Sequence, residues 1–150
     1  MPMRRIFGIA LIACVVGTSS AEAMQGFSCS VDDASLKLDA SGAFSGGPGE
    51  GIMYFKAEAQ FLLPGLPAYM RKLDMTKDLA HHWVDRDELR LRFRAEPTSG
   101  ETVASIDLII KTAGDTESDE MPGTYSIDIF NADGTGNTIT ASGKAACSTD

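Results

Sequence analysis

The sequence predicts an all-β fold: an antiparallel small barrel or sandwich of about six to eight strands. Three observations predict it. Apolar and polar residues alternate with period two in most segments, short turn-like stretches separate these segments, and two cysteines lie near opposite ends of the chain. Alternation places the apolar residues on one face of each strand, and short polar connections favour antiparallel neighbours. We therefore expect a sheet with one buried face.

Apolar residues occupy every second position of six segments, and polar residues fill most of the positions between them. The segments are 36–44, 55–63, 89–96, 104–110, 124–129 and, with weaker alternation, 138–147. The stretches that separate them are rich in glycine, serine and acidic residues. One of these stretches contains Asp133-Gly134, which is a strong hairpin signal.

One stretch departs from the alternation and has the spacing of a helix. Its apolar residues fall at i, i+3, i+4 and i+7: Leu66, Tyr69, Met70 and Leu73. Pro67 suits a first helical turn, and Thr76 suits the N-cap of a second short turn. The spacing predicts one or two short helices near 66–83, which would cover part of the sheet or close one end of it.

The first residues have the three parts of a secretory signal peptide. Arg4 and Arg5 form a basic start, an apolar run covers 6–17, and Ala21-Glu22-Ala23 ends the segment with small residues. The apolar run is too short for a permanent transmembrane helix. We therefore expect a signal peptide over 1–23, a single antiparallel β domain over 24–150, and a periplasmic or secreted mature chain with no transmembrane segment.

The same apolar run contains a competing processing site. Leu11-Ile12-Ala13-Cys14 resembles the lipobox of bacterial lipoproteins, which would make the mature protein a lipoprotein anchored through Cys14. Simple cleavage after Ala23 is the favoured alternative, because the apolar run continues past the cysteine and few apolar residues precede it.

The acidic composition limits the partners that we expect. Cleavage after Ala23 removes two arginines and one glutamate, so the net charge moves from −8 to −9. A surface of this charge repels nucleic acid and anionic lipid. We expect an unknown protein or a small apolar ligand as the partner, with no nucleic acid and no cofactor.

Either processing route leaves two cysteines, Cys29 and Cys147. In an exported chain the simplest expectation is that they form a disulfide. Both share the inward parity of their strands, which predicts that the first and last strands lie close together. The alternative is a pair of buried free thiols.

No sequence motif indicates catalysis or a metal site. His81 and His82 are adjacent, so they would point to opposite faces of a strand and would not clamp one metal. The acidic stretch that begins at Asp115 lacks the glycine and the glutamate of an EF-hand calcium loop. We therefore expect a non-catalytic protein; a hydrolase or metal enzyme that uses His81 or His82 is the weakest alternative.

Two features of the segment 81–96 remain as candidate sites. Trp83 is expected to pack at the core or rim, and as an alternative to face a ligand. Arg90, Arg92 and Arg94 occupy one face of a predicted strand in an acidic protein. They either pair with outward carboxylates such as Asp107 and Asp128, or form an anion or partner patch.

The function that we expect from these observations is an exported, non-catalytic binding or protein-interaction module of the bacterial cell envelope. The alternative is a structural or accessory envelope protein, which would gain support from lipidation at Cys14. A ligand carrier would need an interior cavity, whereas an interaction module needs only an exposed face.

Overall fold

The computed structural model describes residues 25–46, 51–85, 88–112 and 120–149. The predicted signal peptide, Cys14 and the acidic segment 115–119 lie outside these residues. Within the described residues there is no helix long and apolar enough to span a membrane.

The described residues form eleven strands and one turn of 3₁₀ helix at Ala68–Met70. The strands are β1 Gln25–Asp32, β2 Leu36–Phe44, β3 Ile52–Phe61, β4 Lys72–Asp74, β5 Leu79–Asp85, β6 Glu88–Ala95, β7 Thr98–Ser99, β8 Thr102–Val103, β9 Ser105–Thr112, β10 Glu120–Phe130 and β11 Thr138–Thr149.

Nine of these strands form one antiparallel sheet that curls into a half-barrel, in the order β4-β3-β2-β1-β11-β10-β9-β6-β5. Strands β7 and β8 form a separate two-stranded ribbon. The predicted all-β antiparallel class is confirmed, but the prediction of six to eight strands is too low. The additional strands are either only two or three residues long or lie in the stretch predicted as helix, where alternation gave no indication of them.

The inner side of the sheet is filled by bulky side chains, because each long strand turns its alternate residues inward. In β6 the buried residues Leu89, Leu91 and Phe93 alternate with more exposed ones. The largest fully buried side chains of the described residues come from several strands and from the segment before β5: Tyr125, Phe44, Phe61, Phe93, Leu36, Leu38, Met70, Met75, Leu89, Leu91, Ile106 and Leu108.

The prediction of one or two helices near 66–83 is largely wrong. Only the 3₁₀ turn Ala68–Met70 is helical, and its Met70 is fully buried. The chain then returns to the sheet, because the backbone N–H of Phe61 donates to the carbonyl of Arg71 at 2.8 Å. Leu73 therefore lies on β4, opposite Ala59, and not on a helix face.

The two edge strands, β4 and β5, are consecutive in the chain. The segment 75–78 between them is hydrogen-bonded to strands near both edges of the sheet. The Met75 N–H donates to the Ala57 carbonyl on β3 at 2.8 Å, and the Arg94 N–H on β6 donates to the Asp78 carbonyl at 2.8 Å. Thr76, expected to cap a helix, instead accepts a hydrogen bond from the Ala57 N–H through its hydroxyl. The short segment thus connects the two edges.

The predicted disulfide is present, and it joins two strands at the middle of the sheet. Cys29 on β1 lies directly opposite Cys147 on β11, with the Cα atoms 4.0 Å apart and an S–S bond of 2.08 Å. Both cysteines are buried on the inner side. The prediction that the first and last strands lie together is therefore confirmed.

A second inner contact connects the β1–β2 turn to β10. The buried Tyr125 hydroxyl donates to Asp33 Oδ2 at 2.6 Å, and the backbone N–H groups of Ser35 and Leu36 donate to Asp33 Oδ1. Burial opposes ionisation of Asp33, but these three hydrogen bonds outweigh it and lower the pKa of Asp33. Burial and the Asp33 carboxylate together raise the pKa of Tyr125 to about 12.

Candidate functional site

The three predicted arginines all lie on β6, at alternate positions of its outer side. Because Leu89, Leu91 and Phe93 turn inward, the arginines between them point away from the core. The structure therefore places Arg90, Arg92 and Arg94 on one surface, formed by the outer sides of β5, β6 and β9. We call this surface the β5–β6–β9 face.

Arg92 is held by a carboxylate of the neighbouring strand. Its guanidinium donates to both oxygens of Asp107 on β9, with Nε 2.9 Å from Oδ1 and an additional contact from Nη2 to Oδ2. The hydrogen bonds from Arg92 outweigh burial and lower the pKa of Asp107. Pairing of an arginine with Asp107 is thus confirmed, and Arg92 contributes less free charge to the β5–β6–β9 face than its neighbours.

Arg90 contacts a carboxylate but remains accessible to solvent. Its Nη2 lies 2.6 Å from Glu88 Oε1, a close ion contact without the geometry of a hydrogen bond. Glu88 Oε2 also lies 3.8 Å from Lys111 Nζ on β9. One carboxylate therefore serves two cations whose side chains are 47% and 52% exposed.

Arg94 is the third arginine on the outer side of β6, and we call Arg90, Arg92 and Arg94 the arginine stripe. Arg94 is exposed and lies opposite Asp107 in the β6–β9 register, where its positive charge also favours the ionised form of that carboxylate. Among the residues that the structure describes, it forms no ion pair. The other expected partner, Asp128, forms no ion pair with the described arginines either.

Trp83 does not pack into the core as expected. The residue is 62% exposed and lies on β5 directly opposite Arg90. A register shift between Leu79 and His81 changes which β5 residues face inward, so that Val84 points towards the core and Trp83 points outward. An irregularity of this kind leaves no mark in the apolar pattern, which is why the sequence favoured a packing role.

Both histidines are exposed residues of β5. His81 lies opposite Arg92, and His82 lies opposite Leu91. Within the described part of the chain, no group of three His, Cys, Asp or Glu side chains is placed to hold a metal ion. His81 therefore lies beside Trp83 and the arginine stripe on the outer side, whereas His82 has the inward parity of Leu91 and Val84.

Two hollows of about 480 and 430 Å³ lie side by side on a different part of the surface. They share Ser28 and Ser30 of β1, and one extends over β2 and β3 while the other extends over β10 and β11. Exposed serines and carboxylates line much of both hollows. Neither has the bulky apolar lining typical of a pocket for a small apolar ligand.

Comparison with known proteins gives no match: no family model, no curated protein and no solved structure matches the chain.

Proposed function

We propose that this protein is an exported, non-catalytic protein-interaction module of the bacterial cell envelope that acts through its β5–β6–β9 face. One observation carries the proposal: the chain's single tryptophan, Trp83, is 62% exposed and lies directly opposite Arg90. Tryptophan and arginine are the residues most enriched among those that dominate binding energy at protein interfaces.

The exposure of Trp83 argues against a purely structural role for this residue. A buried indole stabilises a fold through the apolar area that it removes from water, which is about 25 cal/mol per Å². Trp83 keeps most of its surface in water and so gives little of this stabilisation to the isolated chain. A partner that covered it would gain that burial on binding.

The filled inner side favours surface binding over carriage of a small apolar ligand. Gly143 on β11 lies directly opposite the buried Tyr125, so it faces the inner side of the sheet. A Cβ atom added there would lie 2.5 Å from Asp33 Oδ2 and 2.6 Å from Tyr125 Cε1, so the space is already occupied. On the neighbouring strand β10, Tyr125 and Ile127 are large and buried.

Export is supported by the disulfide, since bridges of this kind persist in oxidising compartments such as the bacterial periplasm. The mass of the chain purified from the periplasm shows which of the two processing sites is used. A chain that begins at Met24 supports simple export, whereas an acylated Cys14 favours the accessory, membrane-anchored alternative.

Site-specific photocrosslinking in living cells tests the interaction. One strain carries p-benzoylphenylalanine in place of Trp83 on β5. The matched control carries it in place of Phe130, another exposed aromatic residue, on β10. We expect a discrete protein adduct from position 83 that is absent from position 130. Identical adduct patterns from the two positions, or no adduct from position 83, would contradict the proposal.

A further inference from the structure

The strand registers align five exposed residues in a row that crosses the sheet. Trp83 lies opposite Arg90, Arg90 opposite Lys111, Lys111 opposite Thr124, and Thr124 opposite Lys144. Directly opposed residues point to the same side of a sheet, and all five are exposed. We call this set the cross-strand row. The positions of Lys111 and Lys144 in the sequence do not reveal it, because the alignment depends on registers between distant strands.

Positive charge predominates in the cross-strand row, although the protein is acidic overall. The row contains three cations, and the Glu88 carboxylate contacts two of them, Arg90 and Lys111. Asp32, on the strand beyond Lys144, is paired with Lys37 at 2.6 Å. Asp128 and Glu120 each lie four residues along β10 from Thr124, in opposite directions, which is about 13 Å in an extended strand. That distance exceeds the screening length of about 8 Å at physiological salt. The described carboxylates therefore leave the row with an excess of positive charge.

We propose that the cross-strand row binds an extended, acidic segment of a partner protein, laid across strands β5, β6, β9, β10 and β11. The inference rests on the proposed interaction function and adds the chemistry and the direction of the bound segment. Carboxylates of the segment contact Arg90, Lys111 and Lys144, and an apolar side chain at one end covers the indole of Trp83.

The dimensions of the row fit a short peptide segment. Neighbouring strands lie about 4.8 Å apart, so the row spans about 19 Å, the length of about six extended residues. The next residue along this line is Asp32 on β1, two residues beyond the Ser30–Ala146 pair, and its carboxylate lies 2.6 Å from Lys37 Nζ.

Fluorescence anisotropy with a labelled peptide of about eight residues that alternates glutamate and threonine and ends in leucine tests the inference. The protein is the processed chain with its disulfide intact. We expect saturable binding that weakens as salt is raised, together with a change in the emission of Trp83, the only tryptophan. A peptide in which lysine replaces every glutamate should not bind. Absence of binding by the acidic peptide overturns the inference.

Two matched double variants distinguish the effect of the cross-strand row on binding from the effect of net charge. Lys111→Glu with Lys144→Glu alters the row, while Lys56→Glu with Lys72→Glu makes the same change in net charge on the exposed faces of β3 and β4. We expect about a tenfold or greater loss of affinity from the row variant and a much smaller loss from the control. Equal losses from the two variants would overturn the inference. Thermal melting checks that each variant folds, and Lys144→Gln alone provides a milder test in the same direction.

Competition with polygalacturonate, an anionic polymer without a peptide backbone, tests the chemical class of the partner. The acidic peptide should bind more tightly than the polymer at equal carboxylate concentration; tighter binding by the polymer would overturn the assignment to a peptide segment. If photocrosslinking at position 83 captures a protein but the acidic peptide does not bind, the interaction function stands and this inference fails.

Discussion

Two polar pairs join neighbouring parts of the sheet, one on its inner side and one on its outer side. On the inner side, the Tyr125 hydroxyl donates to Asp33 at 2.6 Å, and Tyr125 is 2% exposed. On the outer side, Arg92 donates to Asp107, and the arginine side chain is 40% exposed. Both carboxylates are half-buried, but the donor is buried only in the first pair.

The difference in exposure gives the two pairs different roles. Tyr125 is buried, so little water competes for the hydrogen bond that it donates to Asp33, and the fold bears the cost when that bond is lost. The Arg92 side chain is 40% exposed, so water solvates it when it leaves Asp107, and salt screens the two charges. The inner side of the sheet is therefore where substitutions should change stability, and the outer side is where they should change binding.

The largest effect on the inner side should come from removing the disulfide. Replacing both Cys29 and Cys147 with serine releases a loop with a sequence separation of 118 residues. The chain-entropy model predicts a loss of about 4–5 kcal/mol in the free energy of unfolding, measured by urea denaturation. A much smaller loss in the free energy of unfolding would mean that the β1–β11 pairing holds the two ends together without the disulfide.

Gly143→Ala should have the next largest effect. The added methyl group would meet both Asp33 and Tyr125, so the inner pair must separate or the strand must shift. We expect a destabilisation of about 2–3 kcal/mol, typical of an overpacked site. Gly51→Ala is the control, because its Cβ would meet only Ser45 Oγ at an ordinary 3.7 Å. Equal stability of the two variants would show that the inner side has spare room.

Tyr125→Phe removes one hydrogen bond from Asp33 and leaves the ring in place. We expect a loss of about 2 kcal/mol in urea denaturation, because the acceptor is charged. Ser126→Ala, at the exposed neighbouring position of β10, is the control and should leave stability nearly unchanged. A loss no greater than that of the control would mean that water replaces the hydroxyl at Asp33.

Alkaline pH should weaken the same pair. Since the pKa of Tyr125 is raised from 10.0 to about 12, its contribution is fully present below pH 10 and is lost as the pH rises through 12. We expect the stability of the unmodified chain, relative to Tyr125→Phe, to fall across this interval. Parallel stability curves for the two proteins would show that Tyr125 has the same pKa in the folded and unfolded chains.

The smallest effect on stability should come from the outer pair. Arg92→Ala removes the donor from Asp107, which water can then solvate, so the melting temperature should fall less than for Tyr125→Phe. A larger fall than for Tyr125→Phe would remove the distinction between the two sides of the sheet.

The sequence predicted the inner side better than the outer side. The apolar alternation in segments such as 89–96 and 104–110 indicates which residues are buried, and these buried residues form most of the core. The parity of Cys29 and Cys147 likewise predicted the bridge. The i, i+3, i+4 spacing of Leu66, Tyr69 and Met70 was misleading, because a single 3₁₀ turn satisfies it without a longer helix.

The outer side depends on information that apolar alternation does not contain. The cross-strand row exists only once the registers of β5, β6, β9, β10 and β11 are known. The exposure of Trp83 depends on a local register shift and on the position of β5 at the edge of the sheet. Only the stripe of Arg90, Arg92 and Arg94 was visible in advance, because its members lie on a single strand.

The position of the Cys29–Cys147 bridge has a mechanical consequence. Residues 25–28 lie before the bridge, residues 148 and 149 lie after it, and all other described residues fall within the loop that it closes. A pulling force applied to these two flanking segments is transmitted through the sulfur–sulfur bond. The part of the sheet inside the loop would therefore be shielded from the tension, and the β5–β6–β9 face would keep its shape while the chain was under load.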